Sequence, residues 1–208
     1  MKPFEDKMQS GGAAAIAEAQ RLFMRSDSVH QTLQAICGEL ERLGVSYAVA
    51  DGMALVAHGY DRTTVDIDIL VTAEGLGATH AALNGLGYLP PFDGSRNLRD
   101  TKTGVRIEFL VAGQYPGDGK PKPVAFPDPA QAATEIDGIR YVSLPVLIEL
   151  KLASGMSEPG RLKDLADVQE LIRARRLPAE YAASLHPSLR EKFRELWHGV
   201  QQSGSHMD

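Results

Sequence analysis

Residues 50–71 read ADGMALVAHGYDRTTVDIDILV, and the end of this stretch decides the fold. Two carboxylates, Asp66 and Asp68, lie one residue apart inside an apolar, β-branched run. In a strand, side chains i and i+2 project from the same face, so both carboxylates point one way. An unpaired buried carboxylate is costly, so the acidic face needs a partner. The opposite face carries the residues that the core needs: Val65, Ile67, Ile69 and Val71.

The paired carboxylates suit a hard divalent cation. Mg²⁺ takes oxygen ligands, commonly one or two carboxylates plus substrate phosphates, and paired metal ions stabilise the attacking and leaving oxygens of phosphoryl or nucleotidyl transfer. A third carboxylate comes from the run GVRIEFLV at 104–111, where Glu108 faces away from the apolar positions. The other interpretation is that the two aspartates occupy a solvated strand face, or form ion pairs with Arg62 and Arg106.

A turn at Asp51-Gly52 precedes the acidic strand. It follows a predicted strand at 46–50, opens a short predicted helix to about His58, and leads to Arg62-Thr63-Thr64 just before the acids. A glycine turn that opens a helix presents backbone N–H groups and a positive dipole end. Such a turn suits a triphosphate.

Asp51 is the residue that conflicts with this interpretation. It stands where a glycine is expected, and aspartate lacks glycine's freedom to take φ > 0. Aspartate is a good N-cap, so Asp51 could cap the short helix. Its carboxylate would also stand where an anionic triphosphate approaches. Either a metal ion or a lysine offsets this repulsion, or nucleotide binding is weakened or lost.

The composition is that of an ordinary globular protein. With 208 residues, 43% of them hydrophobic, the chain is long enough for one generous domain, or for one domain with a small helical appendage. No apolar run reaches the roughly 18 to 20 residues that cross a bilayer, and MKPFEDKMQSGG lacks the apolar centre of a signal peptide. The single cysteine, Cys37, suits a reducing cytoplasm and falls on an apolar helical stripe, which favours a core residue over a reactive thiol. We expect a cytoplasmic protein without a membrane partner.

Periodicity and turn residues predict an α/β (α+β) fold, with a mixed sheet of four to five strands flanked by helices and a helical C-terminal section. A hairpin is expected around Asp137-Gly138, and 113–129 is a long loop, either functional or mobile. Helices are predicted at 13–25, 29–43, 74–86, 145–155, 159–175, 178–184 and 187–200. The predicted divisions are an N-terminal tail and helix (1–28), a core (29–145), a helical section that completes a cleft (146–200) and a disordered tail (201–208).

Charge is unevenly distributed along the chain. The net charge of −5 argues against nucleic-acid binding by the whole surface. The run RARR at 173–176 is the strongest basic cluster, and two interpretations of it stand. In the first interpretation this run contacts a polyanion such as nucleic acid. In the second it complements the dipole at the C-terminal end of a helix.

Two segments resemble a known family. YAVADGMALVAHGYDRTTVDIDILV at 47–71 resembles the signature of the nucleotidyltransferase fold, in which a glycine turn precedes a strand carrying Asp-x-Asp. LIELKLASGMSEPGRLKDLADVQELI at 147–172 is similar to a segment of the AbiEii-like branch, the type IV toxins of abortive infection, and of its bacterial relatives. Together the resemblance covers roughly residues 40–175. It implies a nucleotidyltransferase-like catalytic core.

The resemblance also implies roles for individual residues. The metal ligands and catalytic acids would be Asp66, Asp68 and Glu108, with Glu108 as the candidate base for the acceptor. The phosphate-binding turn would comprise Asp51 and Gly52, with Thr64 beside it. Further nucleotide-binding residues would come from the second segment. Lys151 and Lys163 would contact the nucleotide phosphates, Asp164 and Asp167 would complete the cleft, and Arg161 would also bind the nucleotide.

Helical geometry supports the second segment independently. Lys163, Asp164, Asp167 and Glu170 share one face of the predicted helix. The other interpretation of that face is a solvent-exposed pair between Lys163 and Asp167 at i, i+4, which contributes little to stability.

Three functional hypotheses follow. The first is a nucleotidyltransferase that uses Mg²⁺ or Mn²⁺ to move a nucleoside monophosphate from an NTP to an acceptor, with a toxin-like role and a tRNA or other RNA, or a protein, as acceptor. The second is a catalytically lapsed enzyme kept as a binding module in a toxin-antitoxin pair, with a cognate antitoxin as partner. The third is a small-molecule nucleotidyltransferase of the aminoglycoside-modifying kind.

Overall fold

A single long helix, α1 (Gly12–Arg42), opens the part of the chain that the computed structural model describes. That part is residues 12–204, with side chains for 27–202, so the ends of the predicted tails lie outside it. The prediction of two separate helices here was wrong. The intervening Ser-Asp-Ser at 26–28 contains neither proline nor glycine, so the helix is not interrupted and the boundary predicted at residue 28 falls inside α1.

Cys37 lies on the buried side of α1. It is 3% exposed and shares the core with Leu33, Ile36 and Leu40, each fully buried. Burial raises the pKa of its thiol to about 12. The prediction of a core cysteine is confirmed.

Seven strands form one mixed sheet in the order β3-β4-β5-β2-β1-β7-β6. The strand β2 lies at its centre, parallel to β5 and antiparallel to β1, and β1 in turn pairs parallel with β7. The remaining neighbours are antiparallel. The strands are β1 (Tyr47–Ala50), β2 (Asp66–Val71), β3 (Tyr88–Leu89), β4 (Leu98–Asp100), β5 (Arg106–Val111), β6 (Ala133–Ile136) and β7 (Ile139–Val142).

The predicted mixed sheet is confirmed, but it is wider than the four or five strands expected. The additional strands β3 and β4 are two and three residues long, too short for an alternating pattern to appear in the sequence. The hairpin between β6 and β7 is as predicted. Asp137 and Gly138 have φ of 50° and 79°, the positive values that a two-residue hairpin turn of this kind requires.

Helices flank the sheet and form the C-terminal part of the chain. The helix that begins at Leu162 is preceded by a 3₁₀ turn at Pro159–Arg161, and 3₁₀ turns at Ala179–Ser184 and Pro187–Leu189 precede the last helix. The last helix continues to Gly204, so residues 201–204 are helical and not part of a disordered tail. After α1, the helices are α2 (Asp51–Ala57), α3 (Ala73–Leu83), α4 (Pro129–Ala132), α5 (Leu144–Gly155), α6 (Leu162–Arg175) and α7 (Arg190–Gly204).

The apolar faces of β2 and β5 are buried against the helices. Ile67, Ile69 and Leu70 of β2 are fully buried, as are Ile107 and Phe109 of β5. Burial on both sides of a central strand explains why β2 reads as a nearly continuous apolar run after its second aspartate. The core assignment of Val65 was wrong, because β2 begins one residue later and leaves this side chain 45% exposed.

Within residues 12–204, no helix combines the length and the apolar character needed to cross a bilayer.

Candidate active site

The floor of the candidate site is formed by β2 and β5, which run side by side. Their parallel register places Asp68 opposite Glu108 and Asp66 opposite Arg106. Ala50, the last residue of β1, lies opposite Asp68 on the other side of β2. Because paired residues in register share a face, Asp66, Asp68 and Glu108 come to the same face of the sheet.

Asp68 lies where negative charge is most crowded. Burial raises its pKa, and the carboxylates of Asp51, Asp66 and Glu108 raise it further, while the ammonium of Lys151 lowers it. The resulting pKa of Asp68 is well above the ordinary aspartate value. This face of the sheet therefore favours a positively charged ligand.

Carboxylates that could bind a divalent cation are present, but their oxygens do not converge on one point. In the part of the chain that the structure describes, no three His, Cys, Asp or Glu side chains form a ready metal cluster. Glu108 is turned toward Arg106 in an ion pair, and Asp66 Oδ1 accepts a hydrogen bond from Thr64 Oγ1 at 3.3 Å. Carboxylates at neighbouring register positions are the ligands that Mg²⁺ takes, so the donor set fits a hard cation once these side chains rotate toward it.

Asp51 takes the left-handed backbone conformation, with φ of 41°. The helix α2 begins at Asp51 itself, and the residue before it, Ala50, makes no side-chain capping bond. The prediction that Asp51 caps this helix is therefore wrong. Its carboxylate instead accepts a charged hydrogen bond from the ammonium of Lys151.

Lys151 of α5 is bound by three carboxylates. Besides Asp51, its Nζ lies 2.8 Å from Asp164 Oδ1 and 2.9 Å from Asp167 Oδ2. Burial alone would lower the pKa of Lys151, which is 5% exposed, but the three carboxylates outweigh it and raise the pKa above the ordinary lysine value. The charge of Lys151 is thus neutralised within the protein before any ligand arrives.

The two aspartates of α6 have further partners on neighbouring elements. Ser154 Oγ donates to Asp164 Oδ2 at 2.6 Å, and Arg62 donates to both oxygens of Asp167 at 3.1 and 3.2 Å. Burial would raise the pKa of Asp164, but the contacts with Lys151 and Ser154 hold it below the ordinary value. The proposed surface pair between Lys163 and Asp167 does not form, since Asp167 points inward.

Gly52 is required by close packing against Thr64. A Cβ at position 52 would lie 2.6 Å from Thr64 Oγ1 and 2.9 Å from Thr64 Cβ. Both distances are shorter than normal contacts, so a side chain here would displace Thr64. The loop that carries Thr64 can approach α2 this closely only because residue 52 is glycine.

These groups line one cleft with a volume of about 510 Å³. Of the predicted site residues, Asp167 alone does not line it; it is 2% exposed and contacts Lys151 from within the protein. The exposed residues Arg161 and Lys163, at the start of α6, give the cleft a basic rim beside its acidic floor. The other predicted residues that line the cleft are Asp51, Gly52, Thr64, Asp66, Asp68, Glu108, Lys151 and Asp164.

Several residues of the cleft were not among the predicted site residues. Arg62 was considered only as a partner for the strand aspartates, whereas it binds Asp167 across 105 positions of sequence. No local pattern reveals a pairing over such a separation. The loop predicted at 113–129 also lines the cleft, and its aromatic residues were the available signal.

Comparison with known proteins found similar solved structures, two of them structures of ANT(2″)-Ia. No family model and no curated protein matches the chain. The crystal structure of ANT(2″)-Ia in complex with adenylyl-2″-tobramycin is similar, with a TM-score of 0.51 and 17% identity over 82% of this chain and 98% of that one. A solution structure of the antibiotic-resistance factor ANT(2″)-Ia gives a TM-score of 0.46 and 15% identity over 90% of this chain and 96% of that one. The crystal structure's likeness shows that the chain has a nucleotidyltransferase-like fold.

Proposed function

We propose that this chain is a metal-dependent nucleotidyltransferase that moves a nucleoside monophosphate from an NTP to an acceptor. The observation that supports it best is that one cleft contains an acidic floor beside a basic rim. The floor carries three carboxylates on two adjacent strands, and the rim carries Arg161 and Lys163. A metal-bound triphosphate needs both kinds of group within one site.

The residues that would hold Mg²⁺ or Mn²⁺ are Asp66, Asp68 and Glu108. When bound, the cation would neutralise phosphate charge and polarise the reacting phosphorus centre. The charge of Lys151 is already neutralised by its three carboxylates. Lys163 would therefore attract the phosphates, together with Arg161, whose Nε lies 3.7 Å from Asp164 Oδ2.

Glu108 is the candidate base for the transfer. Its side chain is 27% exposed, so an acceptor hydroxyl can reach it. The acceptor oxygen would form a bond to the α-phosphorus while its proton passes to Glu108, and the bond from that phosphorus to the bridging β-phosphate oxygen would break. Pyrophosphate then leaves with the electron pair of the broken bond.

For the acceptor, we propose RNA, with tRNA first, or a protein, in a toxin-like role of the AbiEii kind with a cognate antitoxin as partner. Support comes from the 147–172 motif, whose Lys151, Asp164 and Asp167 form one buried cluster beside the cleft. A toxin with such acceptors would act in the cytoplasm. The similar ANT(2″)-Ia structure contains adenylyl-2″-tobramycin, so an aminoglycoside acceptor belongs in the same test.

Binding can be tested by the unfolding free energy with and without ligands. A ligand present at a hundred times its Kd adds about 2.7 kcal/mol. We expect this increase with an NTP plus Mg²⁺ or Mn²⁺, and none with an NTP plus a chelator. Asp68→Asn should lose the metal-dependent part, whereas the surface variant Phe92→Ala, outside the cleft, should keep it.

Transfer can be tested by mass spectrometry. The protein is incubated with each NTP and metal in the presence of tRNA, a protein extract or tobramycin. A mass increase of one nucleoside monophosphate identifies the acceptor class and the base. A gain on tobramycin alone would contradict the toxin-like role, and no gain on any acceptor would contradict transfer as the function of the wild-type chain.

The second candidate is the lapsed enzyme, kept as a binding module in a toxin-antitoxin pair. It is supported by the Asp51 carboxylate, which lies in the turn that we propose for phosphate binding and is bound to Lys151. If this charge excludes the triphosphate, wild-type protein shows no ligand-dependent stabilisation while Asp51→Gly gains it. Asp51→Asn is the matched control, because it removes the charge and keeps a residue that tolerates the left-handed conformation.

A further inference from the structure

The segment at residues 113–126, here called the strap, forms one wall of the cleft. Its two ends are joined, since the Gly113 N–H donates to the Phe126 carbonyl at 2.8 Å and the Phe126 N–H donates to the Gln114 carbonyl at 2.7 Å. Arg96 stabilises this junction by donating a 2.8 Å hydrogen bond to Gln114 Oε1. The strap is therefore a closed loop with a fixed base.

The tip of the strap is docked on the C-terminal end of α5. Gly117 lies so close that a Cβ there would be 2.1 Å from Ser157 Oγ and 3.1 Å from Ser154 Cα. The next residue, Asp118, donates its N–H to Ser157 Oγ at 3.3 Å. With its base on β5 and its tip on α5, the strap holds its cleft-facing side chains in a defined place.

Those side chains are aromatic. Tyr115 and Phe126 both line the cleft, and both are half-buried. The cleft lining also includes the apolar residues Leu110 and Leu147. A polar cleft with an acidic floor and a basic rim thus also contains an apolar, aromatic wall.

We propose that Tyr115 and Phe126 form the stacking platform for the nucleobase of the bound NTP. This inference rests on the proposed function. A nucleotide combines an aromatic ring with phosphates, which matches the aromatic wall and basic rim of one cleft. Stacking on aromatic faces accepts every base, so the platform binds all four NTPs, with a modest preference for the larger purine rings.

The test compares ATP with inorganic tripolyphosphate, which has the phosphates but no base. Affinities are measured by calorimetry with Mg²⁺ for the full chain, in wild-type and Asp51→Gly backgrounds. Tyr115→Ala and Phe126→Ala should each weaken ATP binding about tenfold, as expected for the loss of one base stack, and leave tripolyphosphate binding unchanged. Tyr115→Phe should restore ATP affinity, and Phe92→Ala, an exposed aromatic outside the cleft, should alter neither ligand.

The outcomes separate the two proposals. If the alanine variants weaken both ligands equally, or neither, the platform is overturned while nucleotide binding stands. If neither background binds either ligand, the proposed function is overturned and the platform with it. If the wild-type chain binds neither ligand but Asp51→Gly binds, the lapsed-enzyme hypothesis is favoured. The alanine variants made in the Asp51→Gly background then test the stacking platform.

Discussion

The backbone at Asp51 has the conformation of a glycine turn, although the residue is aspartate. Its φ of 41° costs a non-glycine residue roughly 1 to 2 kcal/mol, although aspartate tolerates this region better than most. Its carboxylate forms an ion pair with the ammonium of Lys151. A lysine was one of the two groups, with a metal ion, expected to offset the repulsion between this carboxylate and a triphosphate. The lysine that the resemblance assigns to the phosphates is thus bound to protein carboxylates.

Lys151 should be critical for stability. Lys151→Met would leave Asp164 and Asp167 buried without their shared cation, and removing one partner of a buried ion pair costs about 3 to 5 kcal/mol. Lys163→Met is the matched control, because this side chain lines the same cleft but is exposed, and we expect a change within about 0.5 kcal/mol.

The measurement is urea unfolding, compared at equal m values so that a change in midpoint reports stability. Equal losses in the two lysine variants would contradict the assignment of Lys151 as the buried centre of the cluster. A stable Lys151→Met protein would show that the three carboxylates tolerate one another without the lysine.

At the scale of elements, the strap connects the sheet to the helical C-terminal section. Gly117 has φ of +73° and touches the end of α5, whereas Gly119 has φ of +72° and no neighbour within 4 Å of an added Cβ. Gly117→Ala should therefore lose the backbone freedom and also the docking of the tip. Gly119→Ala should lose only the backbone freedom, at roughly 1 kcal/mol.

Hydrogen exchange followed by mass spectrometry can separate these effects. We expect the strap amides, including that of Asp118, to exchange faster in Gly117→Ala than in Gly119→Ala. Equal exchange in the two variants would show that the tip is not held by its contact with Ser154 and Ser157.

Elements with a strong pattern could be predicted from the sequence, and those without one could not. Alternation in β2 and β5 indicated which residues face the core, and the Asp137-Gly138 turn indicated the hairpin. The short strand β3 has no such pattern, and its pairing depends on neighbours distant in the sequence. The buried side of α6 could not be predicted either. Asp164 and Asp167 look like surface residues until their partners Lys151 and Arg62 are known.

At the scale of the whole molecule, His58 joins α2 to the sheet. It is 5% exposed, and its Nε2–H donates to the Val142 carbonyl of β7 at 2.8 Å in the neutral ring. Burial lowers the pKa of His58, the bond to Val142 partly restores it, and Arg175 lowers it again, so the pKa lies below the ordinary histidine value of 6.5.

The pH dependence of stability follows from this lowered pKa. Below pH 6.5 the unfolded chain binds a proton at His58 before the folded chain does, so His58 contributes fully above that pH and progressively less as the pH falls. We expect the unfolding free energy to drop between pH 7 and pH 5. His58→Gln, which keeps an N–H donor without the titrating ring, should reduce this slope, and an unchanged slope would assign the effect to other groups.

The site as a whole could be predicted only in part. Asp66, Asp68 and the site residues of α6 were named from two short motifs and Glu108 from the run at 104–111, and all of them but Asp167 line the cleft. The charge balance inside the cleft could not be predicted. It depends on which oppositely charged groups meet after folding, and Lys151 is separated from Asp51 by 100 positions in the sequence.

The left-handed turn at Asp51 also has a genetic consequence. Every aspartate codon becomes a glycine codon by one A to G change at its second base, and the backbone at this position already has a conformation that glycine adopts freely, with φ of 41°. No rebuilding of the turn is required. Under the lapsed-enzyme hypothesis, one such base change would therefore restore the activity. A growth screen of randomly mutated genes would recover Asp51→Gly among its gain-of-function alleles.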